Sequence, residues 1–293
     1  MTAHRELLER HNFALIDRAA VHHRPWHDSL PMVPLAPEIL PSDEAAMPAL
    51  LALEPDAPYL DVLERSLIAA EENPSWHLLS CLLVVAPEVG PDDLADHLTS
   101  RLILDSPKGK VLLRYYDHRV FPHLVRTLSP AQLQALFGPE EQVWQWTYRF
   151  QNEWITVPAP EITEGVPLYW QVDARTREKL EYTGLINTVL RKRSQHLKRP
   201  WQDWKEYENN IDPAEAAIVL GQHRYRLSAP DDLAAFGLHA LNHGADFHLY
   251  PFIQRILCDE TRRKPGDYAF ATECLTHDEW AEIVTETPLE KYV

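Results

Sequence analysis

Cysteine is scarce in this chain: Cys81, Cys258 and Cys274 are odd in number, widely spaced and never part of a C-x-x-C pair. That pattern excludes a disulfide framework or a zinc knuckle and leaves buried or incidental thiols. Long apolar runs are missing too. No stretch reaches the roughly 18 to 20 uninterrupted apolar residues of a membrane helix, so membrane insertion is not expected. The opening MTAHRELLERHNF lacks the basic-then-apolar layout of a signal peptide, and the expected location is the cytoplasm. Basic residues are outnumbered, with 28 Lys and Arg against 44 Asp and Glu, for a formal net charge of -16. Such a field repels a polyanion, so nucleic acid is not an expected partner. Absent as well are G-x-S-x-G, the Walker A motif, G-x-G-x-x-G and any cysteine with a sequence-readable catalytic partner. The expectation is a non-enzymatic protein that uses no cofactor and no metal.

What is present is enough for a folded protein. Of 293 residues, 45% are hydrophobic, which supports one large core or two ordinary ones. The acid is unevenly spread. Residues 1–165 hold 12 Lys and Arg against 24 Asp and Glu, whereas residues 166–293 hold 16 against 20. A proline-rich connector, Thr156 to Pro167, marks a boundary, and the chain divides into an α+β lobe over 1–160 and an all-helical lobe over 161–293. The fold class is therefore α+β.

In the first lobe the patterning predicts a helix over Ala3 to Arg10 and a strand over Phe13 to Asp17. The proline-rich run Pro25 to Pro58 reads mostly as loop. Tyr59 to Leu63 suits a strand and Glu64 to Glu72 a helix. Leu78 to Val85 is nearly continuously apolar, the mark of a buried central strand. A helix from Pro91 or Asp92 to Arg101 precedes a hairpin whose arms, Leu102 to Asp105 and Lys110 to Tyr116, flank Ser106-Pro107-Lys108-Gly109. In the second arm Val111, Leu113 and Tyr115 are expected to pack, with Arg114 and Tyr116 on the open face. Pro122 belongs in the first turn of the next helix, and Ser129, Pro130 and Gln132 form a capping box for a helix ended by Gly138. Trp144, Trp146, Tyr148 and Phe150 then alternate as the aromatic face of one more strand.

Beyond the connector, the periodicity is helical. Asp173 caps a helix through about His196, Asp212-Pro213 opens one to about Arg226, and Ser228, Pro230 and Asp231 start one ending before Gly244. Phe247 to Arg263 reads as a further helix, and Thr276 with Glu279 as the capping box of the last.

The run Leu112 to Pro139, LLRYYDHRVFPHLVRTLSPAQLQALFGP, resembles the signature of the type VI secretion adaptor family, whose core is the domain of unknown function numbered 4123. Arg114, Tyr116, Asp117, Arg119, Val120, Phe137, Gly138 and Pro139 carry the resemblance. Phe13 to Asp17, Ala57-Pro58-Tyr59-Leu60 and Asp96-His97-Leu98 are similar to the family's upstream elements, so that residues 10 to 150 are covered. The sequence departs at His118, where the family commonly has proline, and at Asp61, where it commonly has valine. The resemblance implies a cytoplasmic adaptor, or chaperone, that binds one toxic effector protein and helps load it onto the spike-tip protein of the type VI secretion machine.

Candidate partner-binding residues follow. Arg114, Tyr116, Asp117 and Arg119 either brace the turn, with Asp117 accepting backbone N–H groups and pairing with an arginine, or display Arg119 and Tyr116 to a partner peptide. Arg191 and Arg193 belong to a basic run with Lys192, His196, Lys198 and Arg199, either a solvated helix end or a docking patch for an acidic surface. Trp201 and Trp204, in WQDW, are core or contact aromatics. Two rival functions stay open, a toxin-neutralising immunity protein and a metal hydrolase. The latter would use His239, His243 and His248, although Ala240 stands where a zincin helix carries its general-base glutamate. His22, His23 and His27 form a second histidine group on the proline-rich loop.

Overall fold

The computed structural model describes residues 2–21, 30–40, 47–73, 78–106, 109–138, 142–161, 170, 172–258 and 264–283. His22, His23, His27 and Pro139 lie outside the described residues, as do Pro107 and Lys108 of the expected hairpin turn. The chain divides into two compact units, Met1–Leu180 and Glu181–Val293.

The first unit runs α1 (Ala3–Glu9), β1 (Phe13–Ile16), α2 (Arg18–Val21), β2 (Met32–Pro34), β3 (Ala49–Ala52), α3 (Leu60–Glu72), β4 (Leu79–Val85), α4 (Pro91–Arg101), β5 (Ile103–Ser106), β6 (Gly109–Leu112), α5 (Phe121–Thr127), α6 (Pro130–Phe137), β7 (Val143–Phe150), β8 (Glu153–Pro158) and α7 (Ala174–Glu181). Six strands form one sheet in the order β2-β3-β1-β4-β7-β8, each antiparallel to its neighbours, while β5 and β6 make a separate hairpin.

The sheet is apolar on both faces because the strand residues of both parities are. Ala14 lies opposite Leu51 and Leu82, and this face packs against Leu8 of α1 and Leu60, Leu63 and Leu67 of α3. Leu15 lies opposite Leu50 and Cys81, on the other face, which continues across β7 as Trp146 and Tyr148. There Phe121 of α5 stacks on Trp146 with ring centroids 4.7 Å apart, and Phe137 of α6 joins at 5.8 Å. Each such fully buried large side chain contributes about 1.5–3 kcal/mol relative to exposure. The aromatic face of β7 is narrower than its sequence alternation implies, since Trp144 remains largely exposed.

Several expected elements differ. The run Pro25 to Pro58 holds β2 and β3, and β3 lies directly beside β1. Its four residues, ALLA, are too short to show a period and form a strand only because the sheet supplies partners on both sides. Tyr59 to Leu63 does not form a strand. Leu60, Leu63, Leu67 and Ala70 are buried at helical spacing, and α3 begins at Leu60. The second hairpin arm ends at Leu112, and Val111 is exposed rather than packed. Thr156 to Pro158, expected in the connector, completes β8 instead.

The second unit is helical throughout its described residues: α8 (Thr183–Leu197), α9 (Trp204–Asn209), α10 (Ile211–Tyr225), α11 (Pro230–His243), a 3-10 turn (Phe247–Leu249), α12 (Pro251–Cys258), α13 (Asp267–Glu273) and α14 (His277–Ile283). The fold class is α+β. Its core gathers Phe236, Phe247, Ile253, Tyr268, Trp280 and Ile283.

Capping explains most of the helix boundaries. Asp173 accepts from the Thr176 N–H at 2.9 Å as expected, but the helix it opens is interrupted at Tyr182. Asp203, which the sequence reading passed over, caps α9 by accepting from the Glu206 N–H at 2.8 Å. Asp212 is not a cap: α10 already starts at Ile211, leaving Asp212 inside the first turn, where its charge still favours the helix dipole. Pro230 holds the first position of α11, preceded by Ala229 rather than a capping Ser228. The helix expected from Phe247 is a 3-10 turn followed by α12, because Pro251 has no N–H with which to continue the first turn. The Thr276–Glu279 box is present, with the Thr276 N–H donating to Glu279 at 2.7 Å.

Candidate functional site

The turn between β6 and α5 is built from the hairpin outward. The Leu113 N–H donates to the Leu102 carbonyl at 2.7 Å, extending the hairpin contact by one residue before the chain turns into the core. Tyr115 is buried, its hydroxyl donating to the Leu98 carbonyl at 2.9 Å and its ring meeting Trp146 edge-on. Tyr116 is also buried, at 2% exposure, and its carbonyl accepts from the Cys81 thiol at 3.4 Å. The expectation that Tyr116 stands on an open face is therefore corrected. Once β6 ends at Leu112, strict alternation no longer governs where the following side chains point.

Asp117, only 5% exposed, is the hub of the turn. Its Oδ1 accepts from the Arg119 backbone N–H and from Arg119 Nε, both at 2.9 Å, while Oδ2 accepts from Arg119 Nη2 at 2.8 Å. Its carbonyl accepts the Val120 and Phe121 N–H groups at the start of α5. Arg114 Nη2 lies 3.5 Å from Asp117 Oδ2 and donates to Asp17 Oδ2 at 2.8 Å, tying the turn to the end of β1. Burial pushes the Asp117 carboxyl up, but the hydrogen bonds and charge of Arg119 outweigh it and hold the group below the ordinary value. Burial likewise opposes the Arg114 charge, and Tyr116, Asp117 and Asp17 more than restore it. With both its oxygens engaged by arginines, Asp117 is a brace rather than a proton carrier. The side chain of Arg119, at 60% exposure, and that of Arg114, at 41%, still reach the surface.

The other candidates lie in the second unit. Arg191 is exposed on α8, whereas Arg193 donates to Asn242. Arg199 pairs with Glu206 through both terminal nitrogens, at 2.9 and 2.5 Å, and those hydrogen bonds, with one from the Gln202 N–H, hold the Glu206 carboxyl down to about 2. The basic run is thus partly neutralised from within the unit. Trp201 is buried and meets Tyr207 edge-on, while Trp204 is half-buried beside the same ring.

The histidines serve the helical core. His239 Nδ1 lies 2.8 Å from the Tyr268 hydroxyl, and burial pushes its pKa down to about 3. His243 stacks flat on Trp280 at 4.2 Å, with its pKa pushed down to about 4 by burial and the nearby His196 and Arg193. His248 Nδ1 lies 2.8 Å from the Tyr225 hydroxyl, so it has a partner of its own. Among the described residues no three His, Cys, Asp or Glu side chains come together as a metal-binding group.

Residues 34–135 match the family model described as Domain of unknown function (DUF4123). This stretch, about a third of the chain, is similar to that family. It extends from the last residue of β2 into α6 and contains the whole Arg114–Arg119 turn, while the Asp17 that anchors Arg114 lies before it. No curated protein and no solved structure matches the chain. The DUF4123 family is associated with type VI secretion effector adaptors. Among the described residues no helix is long and apolar enough to cross a membrane.

The partnership of Asp17 with Arg114 escaped the sequence reading because 97 residues separate them. The one available signal was a charged residue closing an otherwise buried strand, Phe13 to Ile16.

Proposed function

We propose that this protein is a cytoplasmic adaptor that binds a toxic effector of the type VI secretion machine and helps load it onto the spike-tip protein. The observation that carries the reading is the DUF4123 match over residues 34–135. In this reading the protein acts by complementarity and release, without chemistry on its cargo. An interface of about 1,200–2,000 Å² suffices for specific, reversible capture. The acidic excess of residues 1–165 favours a basic partner surface and makes the association salt-sensitive. Arg114 and Arg119 are the contact candidates on the matched stretch, with Arg191 and Trp204 as those of the helical unit.

Affinity capture of the tagged chain from lysate of its source bacterium, with mass spectrometry and a salt titration, tests this. Retention of spike protein together with a large toxin, weakening as salt rises, is the expected result. Retention of neither overturns it. Inhibition of the captured toxin's catalytic activity would instead identify an immunity protein, since an adaptor leaves that activity intact.

A further inference from the structure

Beside the edge strand β2, a groove of about 920 Å³ opens between the residues following that strand and one face of α4. Val33, Ala95 and Ile103 give it an apolar lining, and Ile39, on its wall, is 48% exposed. Glu38 contributes a carboxylate from the β2 side, and Asp92 and Asp96 contribute two more from one face of α4, spaced four residues apart. Among the described residues no Lys, Arg or His lines the groove, and none of these three carboxylates is ion-paired.

Part of this arrangement has a local explanation. Asp92 in the first turn of α4 favours the helix dipole, and Leu94 and Leu98 turn the opposite face into the core. Asp96, a turn further on, and Glu38, on another segment, lie outside that explanation. Three carboxylates around an apolar floor make a surface that repels anions and leaves the exposed aliphatic side chain of Ile39 uncovered. A metal ion is a poor fit, because these carboxylates do not converge as a metal-binding group. A polypeptide fits better: aliphatic side chains fill the floor while flanking lysines or arginines meet the rim, as interface cores and rims are usually divided. The volume is ample for a few side chains. β2 is also the end strand of the sheet, with β3 on one side and no strand on the other among the described residues.

We propose that this groove docks a cationic amphipathic segment of a partner protein, with aliphatic side chains against Val33, Ile39 and Ile103 and cationic ones against Glu38, Asp92 and Asp96. This deepens the adaptor reading and rests on it for the partner's identity, while the binding chemistry is testable with the purified chain alone.

The probe is a short fluorescent peptide alternating leucine and lysine, titrated against the full chain by anisotropy, with a leucine–glutamate peptide as the counterpart. The cationic peptide is expected to bind and the anionic one not to. Two groove variants, Glu38→Lys with Asp96→Lys, and Ile39→Asp, are each expected to weaken binding about tenfold or more. A charge-matched variant at the far edge of the sheet, Glu153→Lys with Glu161→Lys, is expected to change it less than about twofold. All the substituted residues are exposed, and thermal unfolding verifies that each variant folds. Hydrogen exchange on the wild-type chain is expected to show peptide-dependent protection at residues 33–39 and 92–103. Absent binding, absent protection there, or equal loss in groove and far-edge variants overturns the proposal. The affinity-capture experiment separates the two ideas. If wild-type chain retains effector and spike protein and the groove variants retain them equally, the groove is wrong and the adaptor reading stands. If wild-type chain retains neither, the adaptor reading fails whatever the peptide does.

Discussion

Asp117 shows how one side chain can hold an element in place. Its carboxylate is almost completely buried, accepts three hydrogen bonds from Arg119 and lies beside Arg114. Asp117→Asn keeps the size but removes the charge that the arginines answer. A loss of about 1–3 kcal/mol is expected from urea unfolding at pH 7, at the lower end because both arginines reach solvent. The carboxyl's folded pKa lies below its ordinary 3.8, so its contribution is complete above that value and fades as pH falls through the lower folded value. The difference between wild type and variant should therefore shrink when unfolding is repeated near pH 3. Arg119→Ala separates the brace from a contact role. A folded Arg119→Ala chain that has lost its partner points to display of Arg119, and an unfolded one to architecture. His239 works in the opposite chemical sense. Burial depresses its pKa from 6.5 to about 3, so the unfolded chain binds a proton that the folded one refuses between those values. Stability from this residue is full above pH 6.5 and is lost progressively as pH falls toward 3. His239→Asn, which retains an acceptor for the Tyr268 hydroxyl, is expected to flatten the fall of melting temperature between about pH 6.5 and 4.

Helices α8 and α11 approach closely because Gly237 has no side chain. A Cβ there would lie 2.8 Å from Val189 Cγ2. Gly237→Ala therefore forces the helices apart, and despite the better helix propensity of alanine it is expected to destabilise by about 1–3 kcal/mol in chemical denaturation. Adding Val189→Ala should recover part of that loss, a coupling that a double-mutant cycle reads directly. α6 depends on a local device, the box in which Ser129 accepts from the Gln132 N–H at 3.3 Å and Gln132 Oε1 accepts from the Ser129 N–H at 2.9 Å. Ser129→Ala is expected to cost about 0.5–2 kcal/mol by the same measurement. This box, the Thr276–Glu279 box and the buried strand β4 were all legible in the sequence, because each is specified by residues within a few positions of one another. β2 and β3 were not legible. Their proline-flanked runs lack a readable period, and strand β3 exists because β1 offers it a register. Neither was the start of α3, where reading Tyr59 to Leu63 as extended missed that Leu60 belongs to the same buried stripe as Leu63 and Leu67.

At the scale of the whole molecule, the three cysteines report on folding. Cys81 is buried on β4, and burial pushes its thiol up to about 12, whereas Cys258 and Cys274 are exposed. A thiol reagent at neutral pH should therefore titrate two groups in the folded protein and the third only after denaturation, because the attacking species is the thiolate. Prompt reaction of all three would mean that the β4 core opens in the native state.

The sequence alone determined the α+β class, the acidic excess of the first 165 residues, the caps that set several helix ends, and the signature of the DUF4123 segment. Each of these is local or additive along the chain, so it needs no knowledge of what lies beside it. Only the tertiary structure decided that Tyr116 is buried, that Asp17 anchors Arg114, that His239 serves the core, and that Glu38 shares a groove with Asp92 and Asp96. Those facts depend on which distant segments the sheet and the helices bring together, and no spacing between neighbouring residues encodes that pairing.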